Sequence, residues 1–593
     1  MGHGCRGGTG RGRRRRRSTA RDRPRRTDDR APALSVAAPG PGRRPNAGAG
    51  GPMQRAPCIA YHRGMHDALL TGHPLLTCSV IRALEARALA ATPAGLLMDR
   101  AASAVAEACA SLLRAAPGRT PVLALVGPGN NGGDALLAAL ELASRGWSVS
   151  ALATSSERPS AADARRARDA WDAGGRPLHG IDDLDALLAD RPLVIDGLFG
   201  IGLARALSAP LAAIATRIAE AGLTVVAVDV PSGLDADRGS VVGGAAGTAI
   251  RAHLTVTMIA DKPGLHTGAG ASHAGRVKVA DLGLPSLDLP ARAFAAPADG
   301  PLPWGRLIDG DTVGPLLPAR DRDTHKGRFG DVLVVAGAPS MRGAATLAAL
   351  GAQAVGAGRL YLGVDDAAAA PASHPELMMR RITPGSSEGE AALGRAQAVV
   401  IGCGLGQGAA ATAALAAALA HPAGLVIDAD GLNGVAADGH LAERLAARAA
   451  AGRPTVLTPH PLEAARLLGL QTAEVQRDRI GSACRLAAAT GACVVLKGAG
   501  TVVALPDGSW TVNASGGPIL SVAGTGDVLA GTIGGLLAAG LAPAEAAARG
   551  AWLHGAAGDA LAADPDWQGG VGLPASRLAE AIRALVNRRA DRS

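Results

Sequence analysis

The sequence predicts two α/β domains, each built on a mostly parallel β-sheet flanked by helices. The chain has 593 residues and a mass of 58.8 kDa, which is more than one ordinary domain contains. Hydrophobic residues make up 48% of the chain but aromatic residues only 2%, so the cores must be packed from Ala, Val and Leu. Short apolar runs alternate with Ala-rich stretches in residues 75–283 and again from residue 331 onward, which is typical of βαβ units.

The first alternating stretch predicts an open, mostly parallel sheet with a ligand site at one edge. Its predicted strands and helices are listed here: strands at residues 121–126, 148–153, 193–196 and 224–229, and helices at residues 134–145, 161–173 and 211–221. Ligands of such sheets bind beyond the carboxyl ends of the strands. Residues 127–133, Asp196 and Asp229 all fall at those ends, so we expect the site there.

The second alternating stretch predicts a different α/β domain. Residues 284–318 are rich in Pro and Ala and lack periodicity, which predicts a linker plus a lead-in segment. The elements predicted after it are strands at residues 331–336, 398–401, 425–428, 454–457 and 493–496, and helices at residues 344–355 and 527–539. No motif repeats between the halves at a fixed period, which argues against a duplication.

The predicted boundaries follow from these patterns. We place a basic extension at residues 1–65, the first domain at 75–285, the linker at 286–304 and the second domain at 305–590.

The net charge of +9 belongs to the N-terminal tail. Residues 1–55 hold 15 Arg and three Asp, a net of +12, so the other 538 residues carry −3. The tail consists mainly of Gly, Pro, Ala and Arg and cannot bury enough apolar surface to order itself, which predicts a disordered extension. A start codon chosen too early would explain it, with Met53 or Met65 as later starts. A nucleic-acid-binding arm and a targeting peptide are the alternatives.

The cysteines and the apolar stretches indicate a cytoplasmic protein. Seven cysteines are scattered without a Cys-x-x-Cys pair, which argues against a disulfide framework and a structural zinc site and favours a reducing cytosol. The tail has no apolar segment after its charges, so it does not resemble a signal peptide. The longest apolar stretches are rich in Ala and Gly and predict buried helices, so we expect no membrane span.

Lysine is scarce and therefore informative. Of 60 cationic side chains only four are lysines, at positions 262, 278, 326 and 497. In a chain that otherwise uses Arg, a Lys is a candidate for a position that needs a compact ammonium group.

The first motif follows a predicted strand and opens a helix: Gly127-Pro128-Gly129-Asn130-Asn131-Gly132-Gly133-Asp134. Glycines let the backbone approach a ligand closely, and the N–H groups of a helix N-terminus favour anionic oxygens. No acidic residue occurs about 20 residues further on, which argues against an ordinary redox dinucleotide site. Although a Gly-rich turn alone can be purely structural, the adjacent Asn pair offers amide donors and carbonyl oxygens suited to a hard cation or a polar substrate.

Two further acidic residues end strands at the same predicted edge. Asp196 begins the run Asp-Gly-Leu-Phe-Gly-Ile-Gly, and Asp229 begins the run Asp-Val-Pro-Ser-Gly that contains Ser232. A single Asp after a strand is usually a turn or cap residue. Together with Asp134, they make three carboxylates that converge with glycine loops, which favours a functional site. Lys262, in Lys-Pro-Gly-Leu, adds an ammonium group.

These motifs, in this order, resemble those of NAD(P)H-hydrate epimerase domains, which have a Rossmann-like parallel sheet with flanking helices. The resemblance implies a potassium ion held by Asn131, Asp196 and Ser232, and a catalytic Asp229. The implied contacts to the hydrated dinucleotide are Asn130, Asn131, Gly132, Gly133, Asp134, Gly200, Ile201, Gly202, Leu203, Ala204, Arg205, Ala206 and Asp229. One departure is Ala135, where the family usually has Gly; its methyl group either crowds the ligand or improves the helix start.

The second half carries a loop suited to phosphoryl transfer, Gly524-Thr525-Gly526-Asp527, at a predicted helix start. Glycine amides at a helix N-terminus stabilise the charge on a transferring phosphoryl group, and Asp527 is placed to accept the proton of an attacking hydroxyl. Alone, such a loop is a common helix N-cap. Residues 497–501, Lys-Gly-Ala-Gly-Thr, follow a predicted strand and offer a nucleotide-phosphate loop. The chain lacks Gly-x-x-x-x-Gly-Lys-Ser/Thr, which excludes a P-loop enzyme.

Five more motifs complete a second resemblance. They are His-Lys-Gly-Arg-Phe-Gly at 325–330, Gly-Ala-Pro-Ser at 337–340, Gly-Cys-Gly-Leu-Gly at 402–406, Asp-Ala-Asp-Gly-Leu-Asn at 428–433 and Thr-Pro-His-Pro at 458–461. This half is similar to the ribokinase-like superfamily and, within it, to ADP- or ATP-dependent NAD(P)H-hydrate dehydratases. Cys403 stands where that family usually has Pro, and Met341-Arg342 replaces a turn that usually contains Tyr.

The second resemblance also implies roles for individual residues. Asp527 is the implied base and contacts the substrate. The other implied contacts are Ala344, Gly404 and His460 to the hydrate, and Lys497, Gly498, Ala499, Gly500, Thr501 and Gly526 to the adenine nucleotide.

Together the two resemblances predict a bifunctional enzyme of nicotinamide nucleotide repair. It would epimerise the R and S forms of hydrated NADH and NADPH and dehydrate the S form at the expense of ADP, giving AMP and phosphate. The implied cofactors are K+ in the first domain and Mg2+ in the second, with ADP or ATP as co-substrate. We expect small-molecule substrates and a homo-oligomer, with no membrane or nucleic-acid partner.

Two alternatives come from other readings of the same residues. One is a small-molecule kinase of the hydroxymethylpyrimidine or sugar type with a non-catalytic nucleotide-binding N-terminal domain. The other is a nucleic-acid-associated protein that acts through its basic arm.

Overall fold

The computed structural model describes residues 72–115, 120–284, 301–310, 320–364, 373–382, 387–567 and 570–590, together with residues 313 and 317. The basic extension predicted at residues 1–65 and most of the predicted linker lie outside these ranges. The described residues form one sheet of seven strands and one of eleven, which confirms the predicted α/β fold class.

The first sheet is entirely parallel, as predicted. Before it come β1 (His73–Leu76), which lies in the other sheet, and two helices, α1 (Cys78–Ala91) and α2 (Leu96–Ala115). The strands of the first sheet are β2 (Val122–Val126), β3 (Val149–Ala153), β4 (Leu178–His179), β5 (Leu193–Gly197), β6 (Val225–Val228), β7 (Leu254–Met258) and β8 (Arg276–Ala280). Their spatial order is β4-β3-β2-β5-β6-β7-β8. The strands β2 and β5 are therefore neighbours near the centre of the sheet, and the ligand site is predicted at their carboxyl ends.

Helices cover both faces of this sheet because each crossover between parallel strands needs a connection of this kind. The remaining helices of this half are α3 (Asn130–Ser144), α4 (Ala162–Ala173), α5 (Leu184–Ala189), α6 (Ala209–Glu220) and the one-turn α7 (Gly270–His273). One core lies between α2, α3 and the sheet, and a second lies between the sheet and α5 and α6. Both are packed mainly from Ala, Val, Leu and Ile, as the composition requires.

The second sheet is mixed and begins with β1. Its other strands are β9 (Trp304–Ile308), β10 (Asp331–Val335), β11 (Arg359–Val364), β12 (Met378–Arg381), β13 (Ala398–Ile401), β14 (Gly424–Ile427), β15 (Thr455–Leu457), β16 (Cys493–Leu496), β17 (Val502–Ala504) and β18 (Trp510–Asn513). Their order is β1-β9-β18-β17-β16-β15-β14-β13-β10-β11-β12. Strands from β16 to β12 run parallel, whereas β17 pairs antiparallel with both β16 and β18. The strand β1 therefore ties a segment that precedes the first sheet to the edge of the second, with Leu76 opposite Trp304.

The helices of the second half pack on both faces of its sheet. They are α8 (Arg342–Ala354), α9 (Ser387–Arg395), α10 (Ala409–Ala420), α11 (Ala429–Ala437), α12 (Gly439–Ala450), α13 (Pro461–Leu468), α14 (Thr472–Arg477), α15 (Arg479–Thr490), α16 (Thr525–Ala538), α17 (Pro543–Ala562) and α18 (Ala575–Ala590). Helices α8 and α16 approach closely through glycines. An ideal Cβ on Gly531 would lie 1.8 Å from Ala348 O, and one on Gly351 would lie 2.2 Å from Val528 O.

Three predicted helices that follow glycine-containing motifs begin earlier than expected. Helix α3 starts at Asn130 instead of 134, α8 at Arg342 instead of 344, and α16 at Thr525 instead of 527. The motifs before the predicted starts contain glycine, which has low helix propensity. The structure shows instead that the Gly-rich motifs form the first helical turns, where backbone N–H groups have no partner within the helix.

Two general predictions can be compared with the described residues. The cysteines found there, Cys78, Cys109, Cys403, Cys484 and Cys493, are all buried free thiols. Within the same ranges, no helix combines the length and apolar character needed to cross a bilayer. The predicted lead-in segment differs, since it contains β9, a strand that the Pro-rich sequence did not predict.

Candidate active sites

The first candidate site lies at the carboxyl edge of the first sheet. Asp196 is the penultimate residue of β5, Asp229 follows β6, and residues 130–134 open α3. The structure brings these predicted residues together with the loop at residues 200–206.

Asp196 and Ser232 form a buried pair. Both residues have 0% of their surface exposed. Ser232 Oγ donates to Asp196 Oδ1 at 2.6 Å, and Ser232 N donates to Asp196 Oδ2 at 2.8 Å. Burial raises the pKa of Asp196 to about 6, against hydrogen bonds from Ser232 that lower it. A carboxylate in this position would be stabilised by a cation.

Asp229 has a strained backbone and a fixed carboxylate. Its φ is +67°, in the left-handed region that non-glycine residues rarely adopt. Its Oδ1 lies 2.8 Å from Lys262 Nζ and accepts from Met258 N at 3.2 Å. Its Oδ2 accepts from Ile201 N at 3.3 Å. These contacts hold the carboxylate toward the loop at residues 200–206.

Lys262 is completely buried, with 0% exposure. Besides Asp229, its Nζ contacts Thr257 Oγ1 at 2.6 Å and the backbone oxygens of Met258 and Ala260 at 3.1 and 3.2 Å. A buried ammonium group is stable only when it is paired and hydrogen-bonded in this way. Lys262 therefore fixes the position of the Asp229 carboxylate, in agreement with the scarcity of lysine in the sequence.

Asn131 faces Asp229 across Gly200. An ideal Cβ on Gly200 would lie 2.8 Å from Asp229 Oδ2 and 2.9 Å from Asn131 Oδ1, so a side chain here would fill the space between them. The other end of the amide, Nδ2, is buried without a hydrogen-bond partner among the described residues. Because a buried amide needs partners, this cradle is suited to a polar ligand.

Two more carboxyl groups lie near Asp229. Burial raises the pKa of Asp134 well above its usual value, and the charges of Asp229 and Glu85 add to the effect. Burial and then the charge of Asp229 likewise raise the pKa of Glu85. Glu85 belongs to α1, whose Arg82 Nη2 also donates to Ile201 O at 3.0 Å. Sequence reasoning missed Glu85 because it lies in an ordinary amphipathic helix without a motif.

Ala135, which departs from the resemblance, packs inside the domain. It is fully buried, and an ideal Cβ on Gly197 would lie 2.4 Å from its methyl group. The methyl group therefore packs closely against β5.

The second candidate site lies at the carboxyl edge of the second sheet, where Lys497 joins two acidic groups. Lys497 Nζ lies 2.6 Å from Asp428 Oδ1 and 3.9 Å from Glu463 Oε2. An ideal Cβ on Gly526 would lie 3.4 Å from Lys497 Nζ. The predicted lysine and the predicted glycine loop therefore meet.

Asp527 lies beside Cys403 and Asp428. One ligand atom from each of these three residues lies within 4.8 Å of the other two. Burial, followed by the charge of Asp428, raises the pKa of Asp527 to about 6, although a hydrogen bond from Cys403 lowers it. Burial also raises the pKa of the Cys403 thiol well above its usual value, so the thiol stays protonated as a donor. A carboxylate with a pKa near neutrality is suited to act as a general base.

Lys497 remains charged in this site. Burial alone would lower its pKa, but the carboxylates of Asp428 and Glu463 outweigh that effect and raise it. The ammonium group is thus available to phosphate oxygens at the start of the loop at residues 497–501.

The residues predicted to contact the hydrate lie around the same edge. An ideal Cβ on Gly404 would lie 3.2 Å from Ala344 Cβ, so these two predicted contacts are neighbours. His460 caps α13: its Nδ1 accepts from Leu462 N at 3.1 Å and from Glu463 N at 3.2 Å. Burial, followed by the charge of Lys497, lowers the pKa of His460. The ring is therefore neutral, and it has a capping role in addition to the one predicted.

Sequence reasoning did not predict roles for three further residues of this site. Asp428 lies in a motif that identified the family, but only the structure pairs it with Lys497. Glu463 lies 3.2 Å from His460 Nε2. His554, on α17, lies 2.9 Å from Thr525 O behind the glycine loop, and burial lowers its pKa to about 4. A scarce lysine in the sequence was the only signal that a buried acidic partner was needed.

Comparisons with known proteins agree with this division. Residues 94–264 match the YjeF_N family, the YjeF-related protein N-terminus, and residues 332–583 match the Carb_kinase family, described as NAD(P)H-hydrate dehydratase. The chain is 38% identical over 512 residues to the bifunctional NAD(P)H-hydrate repair enzyme Nnr of Mycobacterium leprae, covering 86% of this chain and 98% of that one. The chain belongs to the family of bifunctional NAD(P)H-hydrate repair enzymes.

Other members of the family are similar over most of their length. The repair enzyme Nnr of Moorella thermoacetica is 36% identical, covering 79% of this chain and 88% of the relative. That of Escherichia coli is 35% identical, covering 83% and 89%. An ADP/ATP-dependent NAD(P)H-hydrate dehydratase of Bacillus subtilis, solved with ATP and Mg2+, is 29% identical, with a TM-score of 0.40, covering 49% of this chain and 100% of that one.

Membership in the repair-enzyme family confirms both predicted activities. The chain is an enzyme with NAD(P)H-hydrate epimerase and dehydratase activities, an isomerase and a lyase. The dehydratase match covers the second sheet except for β1 and β9, and the YjeF_N match covers β2 to β7 of the first sheet. The roles of the individual residues stay predictions.

Proposed function

We propose that the first site epimerises the hydrated carbon of NAD(P)H hydrates with Asp229 as the proton-transferring group. The observation that supports this role is the fixed carboxylate, with Oδ1 held by Lys262 at 2.8 Å and Oδ2 turned toward Gly200. Residues 130–134 and 200–206 would bind the dinucleotide. The helix N-terminus of α3 suits phosphate oxygens.

The same site suits a potassium ion. Asn131, Asp196 and Ser232 offer carboxylate, hydroxyl and amide oxygens, and an ion of this kind prefers oxygen ligands. Two observations support the fit: the buried Asp196 carboxylate has no cationic side chain within hydrogen-bond distance among the described residues, and one end of the Asn131 amide has no partner. Turned over, that amide would present its oxygen instead of its nitrogen.

We further propose that the second site dehydrates the S hydrate by phosphoryl transfer from ADP. Asp527 accepts the proton of the ring hydroxyl, whose oxygen attacks the β-phosphorus of ADP, and AMP leaves as the bond to the α-phosphate breaks. Phosphate then leaves the ring with its bonding electrons, while a proton on the neighbouring carbon is lost and the double bond forms. Phosphorylation before elimination is favourable because phosphate is a better leaving group than water.

The groups around Asp527 support this chemistry. Lys497, the loop at residues 497–501 and Gly526 would hold the nucleotide phosphates, and Ala344, Gly404 and His460 would contact the hydrate. Mg2+ would neutralise phosphate charge there, and the carboxylate of Asp428 offers an oxygen ligand of the kind that this ion prefers.

Two predictions about the whole enzyme accompany this proposal. We expect a homo-oligomer and a cytoplasmic location. Light scattering of the purified chain and imaging of a tagged chain in the source cells would test them.

A repair assay tests the proposed reaction. Purified full-length protein is supplied with mixed hydrates, Mg2+ and either ADP or ATP, and the absorbance of the reduced nicotinamide is followed. We expect recovery with ADP, together with AMP and free phosphate in equal amounts. A stable phosphorylated product would instead favour the small-molecule kinase, and no recovery with either nucleotide would contradict the proposal.

A further inference from the structure

The loop that carries Lys262 links the two sites. From Lys262 the chain makes a short helical turn at Pro263–Leu265 and then reaches the second half at Thr267 and Gly268. There it contacts the loop at residues 497–501, which we propose to bind nucleotide phosphates.

Thr267 and Gly268 join these loops directly by hydrogen bonds, and Thr267 Oγ1 also lies 3.4 Å from Ala499 O. Thr267 Oγ1 donates to Gly500 O at 2.9 Å, and Gly268 N donates to Ala499 O at 3.0 Å. Both acceptors are carbonyl groups of the nucleotide loop, so these bonds orient its peptide units from the side of the epimerase domain.

Arg479 strengthens the connection from inside the dehydratase half. Its side chain is among the largest fully buried ones. Its Nε donates to Thr267 Oγ1 at 3.1 Å, and its Nη2 donates to the backbone oxygens of Leu496 and Lys497, each at 3.2 Å. Thr267 Oγ1 therefore accepts a hydrogen bond from Arg479 and donates one to Gly500 O. This one oxygen connects the nucleotide loop to Arg479.

The nucleotide loop is packed so closely at this contact that its two glycines have no space for a side chain. An ideal Cβ on Gly500 would lie 1.9 Å from His266 O, and one on Gly498 would lie 2.9 Å from Arg479 Nη1. The two glycines have φ values of +61° and +133°, which side chains of other residues rarely adopt. The backbone of the loop at residues 497–501 therefore packs directly against His266 of the epimerase half and against Arg479.

We propose that Thr267, a residue of the epimerase half, is a positioning residue for the nucleotide loop of the dehydratase half. Its hydroxyl group holds the carbonyl of Gly500 and thereby fixes the peptide units that would face the nucleotide phosphates. Nucleotide affinity in the second domain then depends on a side chain from the first. This inference rests on the proposed nucleotide role of residues 497–501.

The experiment compares Thr267→Val and Thr267→Ser in the full-length enzyme. Valine keeps the shape but leaves Gly500 O without its donor and Arg479 Nε without its acceptor, and a lost buried hydrogen bond of this kind costs on the order of tenfold in affinity. We expect the dehydratase KM for nucleotide to rise about tenfold, with little change in kcat, in the KM for the hydrate or in epimerase rate. Thr267→Ser retains the hydroxyl and should restore the nucleotide KM.

A matched control separates this effect from loss of folding. Thr77 Oγ1 donates to Pro303 O at 2.8 Å, a hydroxyl bond to a backbone carbonyl that is not part of the nucleotide loop, so Thr77→Val should leave the nucleotide KM unchanged. An unaltered nucleotide KM in Thr267→Val, or equal defects in Thr267→Val and Thr267→Ser, would overturn the inference. An unaltered nucleotide KM in Lys497→Met would instead overturn the proposed role of the loop itself.

Discussion

At the scale of single residues, both sites pair a scarce lysine with a buried aspartate. Lys262 holds Asp229 in the first site and Lys497 holds Asp428 in the second. The sequence indicated both lysines because the chain otherwise uses Arg. It did not indicate their partners, since a salt bridge depends on how strands that are distant in sequence meet at one sheet edge.

Replacing Lys262 should be costly. In Lys262→Met the Asp229 carboxylate loses its only described cationic contact while it remains largely buried, and breaking a buried ion pair in this way destabilises a protein by about 3–5 kcal/mol. We expect a lower midpoint in thermal or urea unfolding, together with loss of epimerase activity. The matched control is Lys278→Met, which removes an exposed lysine from β8 of the same sheet and should change stability by less than about 0.5 kcal/mol. Equal stability of the two variants would contradict the structural role of Lys262.

The dehydratase should depend on the protonation of Asp527. Since the pKa of this carboxyl is about 6 and a base must be deprotonated to act, kcat should fall as the pH drops below about 6. The Cys403 hydrogen bond lowers that pKa, so Cys403→Ala should move the acidic limb of the pH profile to higher pH. Cys403→Ser keeps a donor and should leave the limb near its original position. An identical profile for the alanine variant would show that the thiol does not act on Asp527.

At the scale of elements, the two helices that carry the second site depend on glycine contacts. Helix α16 carries Asp527 in its first turn and packs on α8 through Gly531 and Gly351. The sequence predicted both helices but not their contact, because a Gly/Ala-rich helix gives no sign of which neighbour its glycines face.

Gly531→Ala should destabilise the enzyme. Its new Cβ would lie 1.8 Å from Ala348 O, and a backbone atom of a packed helix cannot move aside easily, so overpacking should cost about 1–3 kcal/mol. In contrast, an ideal Cβ on the exposed Gly394 of α9 meets nothing within 4 Å. Gly394→Ala should therefore be neutral or stabilising by about 0.5–1 kcal/mol. Urea unfolding of both variants would measure this, and the opposite order of stability would contradict the close packing.

Other elements could not be predicted for identifiable reasons. Strand β4 has only two residues, too few for periodicity. Strand β8 is largely exposed and β1 pairs with β9, which is remote in sequence. The apolar central strands β2, β5, β13 and β16 were predicted because they are buried on both faces.

At the scale of the whole molecule, the two halves form one enzyme with contacts between them. The alternation of apolar and Ala-rich stretches was sufficient to predict the fold class, and local motifs that resemble those of known families predicted both activities. The contact between Thr267 and Gly500 could not be predicted, since neither residue carries a signal that it faces the other domain. The strand β1 precedes the first sheet in sequence but belongs to the second, and no sequence signal predicted this pairing either.

A time course with separated hydrate epimers and Asp527→Ala tests the division of labour between the two sites. The variant, supplied with the pure R or S hydrate, ADP and Mg2+, is followed by chromatography beside the wild-type enzyme. We expect the wild type to convert both epimers to NADH, and the variant to interconvert R and S at the normal rate while its dehydration falls by about 10²–10⁴-fold. Normal dehydration by Asp527→Ala, or failure of the wild-type enzyme to consume the R hydrate, would contradict this division.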